Sequence, residues 1–156
     1  MDLRARALAS ASLFALLALV MQFLLGMAVN LFVTIPTSHP GAKPPEYFGG
    51  VVASVTWAVL HGPLLLQLHA GFGLVLVVGS VYLLIQGILM RRGSLVTATV
   101  FGFIGTLGAG FNGGSFLNYN ENFSSMLMAA GFAVAVVAYL FALYLSLQVS
   151  PARQAV

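Results

Sequence analysis

Four long apolar runs, separated by short polar or proline-rich breaks, dominate this chain. A helix needs about 20 mainly apolar residues to cross a hydrocarbon layer of roughly 30 Å. The first run, from about Ala7 to Ile35, meets that length and is stopped by Pro36. Arg4 and Arg6 ahead of it also fit a secretory signal. The run is far longer than the ~7–15 apolar residues of such signals. It also carries Gln22 and Asn30 and has no obvious small-residue cleavage site, so it reads as a retained span.

The segment Thr34 to Gly50, with Pro36, Pro40, Pro44, Pro45, Lys43 and Glu46, reads as an irregular external loop. The apolar stretch that follows, Val51 to Met90, is about twice the length of one span. Dividing it at Gly71 would put Arg91 and Arg92 on the external side, against the positive-inside rule. Proline is favoured in the first turn of a helix, where its missing N–H costs nothing. His61-Gly62-Pro63 is therefore the better break, and Val51 to Leu60, with Trp57, becomes a short interfacial or re-entrant helix. Arg91-Arg92-Gly93 then makes a tight turn, Asn118 to Asn122 a polar external loop, and Pro151 ends the last span. The pattern predicts an all-α fold: a polytopic membrane four-helix bundle forming a single domain over 1–156. Its spans are at about 7–35, 63–90, 94–116 and 124–149, and an additional short interfacial helix lies in the first external loop, 36–62.

Composition supports lipid as the surrounding solvent. Residues are 60% hydrophobic and 6% charged, against about 25% charged in a soluble domain. Cysteine is absent, which excludes disulfides, thiolate metal sites and iron–sulfur clusters. A net charge of +3 is too small and too scattered to point to nucleic acid. The basic residues instead set orientation. Arg4, Arg6, Arg91, Arg92 and Arg153 fall on one side and Lys43 alone on the other. The expectation is a bacterial inner-membrane protein with both termini cytoplasmic.

Each span has one face of small or polar residues. These are Ser12, Ala15, Gln22, Gly26 and Asn30 on the first, and Gly62, His69, Gly73, Ser80 and Gly87 on the second. The third has Ala98, Gly102, Gly105, Ala109 and Asn112, and the fourth Ser124, Met128, Gly131, Ala135, Ala138 and Ala142. In lipid, helices associate through such faces, so packing accounts for most of these positions.

Asp, Glu, Lys and Arg are missing from the membrane cores. Intramembrane charges mark proton and ion pathways, so their absence argues against a pump or a carboxylate-driven antiporter. The one group deep in a span that titrates near neutrality is His69. It is expected to point into the bundle about 10 Å below the external end. Asn30 and Asn112 are expected at similar depth, with Gln22 deeper. The plain reading of His69 is a neutral polar clasp bonded to Asn30, Asn112 or a backbone carbonyl. The sharper reading is a cofactor or metal ligand, or a proton acceptor for quinol. For haem b, the candidate binding residues are His69, His61, Asn30, Asn112 and Met128. For copper they are His39, His61, His69 and Met126, since imidazole and thioether suit Cu(I). The other three spans contain no histidine. His61 and His69 differ by about 80° in direction on one helix, so both cannot hold one iron from opposite sides. Asn112-Gly113-Gly114-Ser115 is expected to end the third span, its glycines permitting a positive-φ turn or a close approach.

Two strings, Asn30-Leu31-Phe32-Val33-Thr34-Ile35-Pro36 with His39-Pro40-Gly41, and Gly108 to Met128, flank Leu68-His69-Ala70. With them the chain resembles small bacterial integral membrane proteins of actinobacterial type, a resemblance that implies an architecture and no activity. More faintly, it resembles four-helix membrane cytochromes b and the haem A synthase half-bundle. That likeness implies haem on a helix-borne histidine near the outer surface, a part only His69 could take.

Three functions follow in order. The first is an accessory or structural inner-membrane component without its own catalytic site, whose partners are the lipid bilayer and other membrane subunits or further copies of itself. The second is a small haem-, copper- or quinone-binding redox protein built on His69. The third is a small-solute transporter, for which the inner half offers only Ser80, Gln86, Thr97 and Thr99.

Overall fold

The computed structural model describes residues 3–149. They form five helices: α1 (Leu3–Phe32), α2 (Tyr47–His61), α3 (Leu64–Leu89), α4 (Gly93–Tyr119) and α5 (Asn122–Leu147). Four of them, α1, α3, α4 and α5, are long and apolar enough to cross a membrane. The fifth, α2, has 15 residues and spans about 22 Å at 1.5 Å per residue, too short to cross. Pro151 and Arg153 lie outside the described residues.

The helix ends follow local chemistry. Proline disfavours helical geometry in the residue before it, and α1 stops at Phe32, three residues short of Ile35, with Val33 N–H still donating to the Val29 carbonyl at 3.0 Å. α2 begins four residues earlier than the apolar pattern predicts. The Glu46 carboxylate accepts from the backbone N–H groups of Phe48 at 2.8 Å and Gly49 at 2.5 Å, satisfying donors a first turn otherwise leaves open. Pro63 is the N-cap of α3 rather than its first helical residue.

The end of α4 departs from expectation. α4 does not end at Asn112-Gly113-Gly114 but continues to Tyr119, and the turn is made by Asn120 at φ +54°. Gly114 serves a close approach instead: a Cβ there would lie 2.7 Å from Val51 Cγ1 of α2.

The four long helices form a ring. α1 packs on α3 and α5, α4 packs on α3 and α5, and α2 rests on α3 and α4. Neighbours run antiparallel: Gln22 of α1 faces Gly73 while Gly26 faces His69, and Gly105 of α4 faces Ala135 while Ala109 faces Gly131. This up-down order places Arg4, Arg6, Arg91 and Arg92 at one end of the bundle. Lys43, Glu46 and Glu121 lie at the other, beside α2.

The α4–α5 seam is the closest. A Cβ on Gly105 would come 2.6 Å from Ala135 N and 2.7 Å from the Gly131 carbonyl oxygen. One on Gly131 would come 2.8 Å from Ala109 N and from the Gly105 carbonyl oxygen. Gly105-x-x-x-Ala109 and Gly131-x-x-x-Ala135 thus meet backbone to backbone, the small-residue arrangement by which helices associate in lipid. Toward the arginine end Leu8, Leu19, Leu83, Leu95 and Tyr139 form one cluster, with the buried hydroxyls of Ser12, Thr99 and Ser146 among the helices there. Outside, Phe14, Leu17, Val78, Ile104 and Leu140 are exposed, a continuous apolar exterior that suits hydrocarbon.

The small and polar stripes face inward, with Ser12, Ser80, Gly87, Ala98, Ser124, Ala138 and Ala142 all buried. Asn30 is the correction: it is exposed. Eight residues beyond Gln22, a straight helix has rotated by about 80°. At that level Val29 and Val33 meet α2 and α3 in its place.

Candidate functional site

The groups that could carry chemistry gather at the α1–α3 seam. His69 comes from the second turn of α3, and its ring lies over Gly26 of α1, where a Cβ would sit 2.9 Å from His69 Cε1. One turn deeper, Gln22 Nε2 donates to the His69 backbone carbonyl at 3.1 Å, reaching past Gly73. Small residues at 26 and 73 let imidazole and amide fit between two helices otherwise lined by Leu and Val. Two acceptors or donors there have no partner: His69 Nδ1 and Gln22 Oε1 are both enclosed and unbonded. A buried polar atom left unpaired costs about 1–3 kcal/mol. The bond across this seam runs from the Gln22 side chain to the His69 main chain, while Nδ1 of the His69 ring finds neither Asn30 nor Asn112.

The remaining donors predicted from the sequence are dispersed. Asn112 Nδ2 donates to the Gly108 carbonyl of its own helix at 2.8 Å. Met128 lies on the α4–α5 seam, its Sδ 3.4 Å from where a Gly113 Cβ would be. Since α3 and α5 do not approach each other at the backbone, His69 and Met128 stand on different sides of the ring. Met126 and His61 are exposed, and His39 stacks on Trp57 with ring centroids 4.2 Å apart. His39 Nδ1 lies 2.9 Å from the Pro40 carbonyl oxygen. Among the described residues, no three His, Asp or Glu side chains gather where they could hold a metal ion. Two cavities, of about 620 and 290 Å³, are both lined without His69. A haem needs axial donors converging from opposite sides of a flat space, so these residues do not fit haem as a set, nor do they form a copper cage.

Sequence reasoning missed a second polar layer, deeper in the bundle. Tyr139 of α5 is 1% exposed, its ring pressed against Gly102. The Ser80 and Thr106 side chains lie near its hydroxyl. Their own protons go to the carbonyls of Val77 at 2.6 Å and Gly102 at 2.8 Å, and the Tyr139 oxygen completes no direct hydrogen bond. The available clue was Gly102, 37 residues away in sequence, whose missing side chain makes room for the ring.

At the α2 end, Asn118 of α4 pins the loop and α2 together. Oriented to suit its neighbours, its amide nitrogen shares two N–H donors among Ser54 Oγ at 2.5 Å and the carbonyls of Gly50 at 3.0 Å and Gly41 at 3.1 Å. Its oxygen accepts from Val51 N–H at 3.1 Å. One side chain thereby satisfies four groups of an otherwise irregular segment, as a buried amide must. Sequence alone reads this residue as part of an external loop.

No protein-family model, curated protein or solved structure matches this chain.

Proposed function

We propose that this protein is an accessory or structural component of a bacterial inner membrane, with no catalytic centre of its own and with the arginine end toward the cytoplasm. The observation that carries this reading is how the interior polar groups are spent. Thr99, Thr106, Asn112 and Ser146 each bond a carbonyl four residues back in their own helix, and Ser80 bonds one three residues back. Gln22 bonds across to α3. Five of these bonds stay within one helix and one joins α1 to α3, so among the described residues they link into no chain through the bundle, while a transporter needs such a path. The arginine bias supports the orientation.

A second reading is favoured by one observation, the enclosed and unpartnered Nδ1 of His69: there His69 would serve as a ligand or proton acceptor for a bound redox group. A visible spectrum with metal analysis of the detergent-purified protein separates the two. A colourless, metal-free preparation supports the accessory role; pigment or stoichiometric metal that is lost in His69→Ala would overturn it. The chain has no cysteine, so orientation is read by single-cysteine labelling in intact cells. Lys43→Cys is expected to react with a membrane-impermeant maleimide and Arg92→Cys only after permeabilisation. The reverse pattern would invert the layout.

A further inference from the structure

At the α2 end, a cavity of about 290 Å³ opens where Tyr47 at the start of α2 meets the last turns of α4 and the first turns of α5. That volume is at the bottom of the usual range for ligand sites, about 300–1,000 Å³, and suits a small group. Its chemistry is one-sided. Glu121 lines it, and no lysine, arginine or histidine does. Glu121 is the N-cap of α5 but makes no side-chain cap bond. Glu46, the other carboxylate among the described residues, is committed to capping α2. An exposed carboxylate with no side-chain partner therefore stands at the rim of a cavity whose lining has no positive charge.

The other walls favour the same occupant. Asn112 has its NH₂ engaged with the Gly108 carbonyl, so its oxygen remains as an acceptor. The Ser115 and Ser124 hydroxyls bond each other at 3.1 Å. Tyr47 and Tyr119 lie parallel, 10° apart in plane and 6.1 Å between centroids, and Phe123 adds a third ring. Aromatic faces are negative and attract cations. Acceptors, a carboxylate and ring faces together call for a positively charged donor.

We propose that this cavity binds a small protonated primary amine, its ammonium on Glu121 and the tyrosine rings flanking it. The amine could arrive as the ethanolamine headgroup of a phospholipid or as a free solute. Phe123 is 60% exposed and Leu127 is exposed beside it, so the cavity opens at the depth where headgroups meet hydrocarbon. A primary amine is favoured over a quaternary one because the free groups are acceptors, which only N–H can satisfy.

The test uses the full chain. Calorimetric titration in detergent with ethanolamine, against choline as control, reports the free solute. Native mass spectrometry of protein released from nanodiscs of phosphatidylethanolamine and phosphatidylcholine reports the headgroup. Ethanolamine binding alone assigns a solute site, and selective retention of phosphatidylethanolamine assigns a lipid site. In either case Glu121→Gln should weaken the interaction by about tenfold or more, as loss of a charge-assisted hydrogen bond does, and Tyr119→Leu should weaken it several-fold. The Glu121 side chain makes no hydrogen bond in the fold, so Glu121→Gln should keep wild-type helicity and elution volume. No preference for ethanolamine over choline and for one lipid over the other, or undiminished binding in a folded Glu121→Gln, would overturn the proposal. The accessory role stands or falls separately, on pigment and metal.

Discussion

Gly105 and Gly108 lie three residues apart on α4, and alanine at each should give opposite results. At Gly105 a Cβ would meet backbone, 2.6 Å from Ala135 N and 2.7 Å from the Gly131 carbonyl oxygen. Ordinary contacts of a Cβ begin near 3.4 Å, so α4 and α5 would have to part by nearly 1 Å, and backbone has no rotamer with which to yield. Overpacking of a tight interface costs about 1–3 kcal/mol, and the upper part of that range is expected where both obstacles are main chain. At Gly108 a Cβ meets nothing within 4 Å, and the exchange of glycine for alanine in a helix gains up to about 1 kcal/mol. Unfolding in mixed detergent micelles, with rising SDS followed by circular dichroism, compares the two variants with the parent. Gly105→Ala should unfold at clearly lower SDS and Gly108→Ala at equal or higher SDS. Equal shifts in the two would refute the claim that backbone contact between α4 and α5 organises the bundle.

Two further outcomes follow from single side chains. Glu46→Ala removes the cap of α2 and should cost about 1 kcal/mol, felt locally. Hydrogen exchange should quicken at 48–51 while the α4–α5 seam keeps its protection, and uniform loosening would contradict the local role. Tyr139→Phe should leave stability unchanged or raise it by up to about 1 kcal/mol, because the deleted hydroxyl is enclosed without a partner and such groups are costly. Tyr139→Ala empties space in the apolar cluster and should cost about 3–5 kcal/mol. A marked loss in Tyr139→Phe would mean that the hydroxyl does bond Ser80 or Thr106.

Helix number, order and approximate limits were legible from residue pattern alone, because the cost of unpaired backbone in hydrocarbon leaves a long apolar run few alternatives to a helix. The break at His61-Gly62-Pro63 was legible for the same reason that Gly71 was not chosen: charge asymmetry discriminates between divisions that hydropathy cannot. Inward faces followed from small-residue spacing, and failed at Asn30, where drift over two further turns carries the stripe off the interface.

Partners across the bundle were decided only by the folded chain. Periodicity says that His69, Gly26, Gly105 and Gly131 face inward; it does not say which inward faces meet. The ring order brings His69 to Gln22 and not to Asn112, sets Met128 on another seam, and buries Tyr139 against Gly102. Gly113 and Gly114 read as a helix end because glycine loosens a chain, yet here the absence of a side chain at Gly114 admits α2. Glu121, an ordinary loop residue in sequence, becomes the charged wall of a cavity only once Tyr47 is folded beside Tyr119. A residue's type fixes what it can bond, while the long-range packing of helices fixes what it is given to bond.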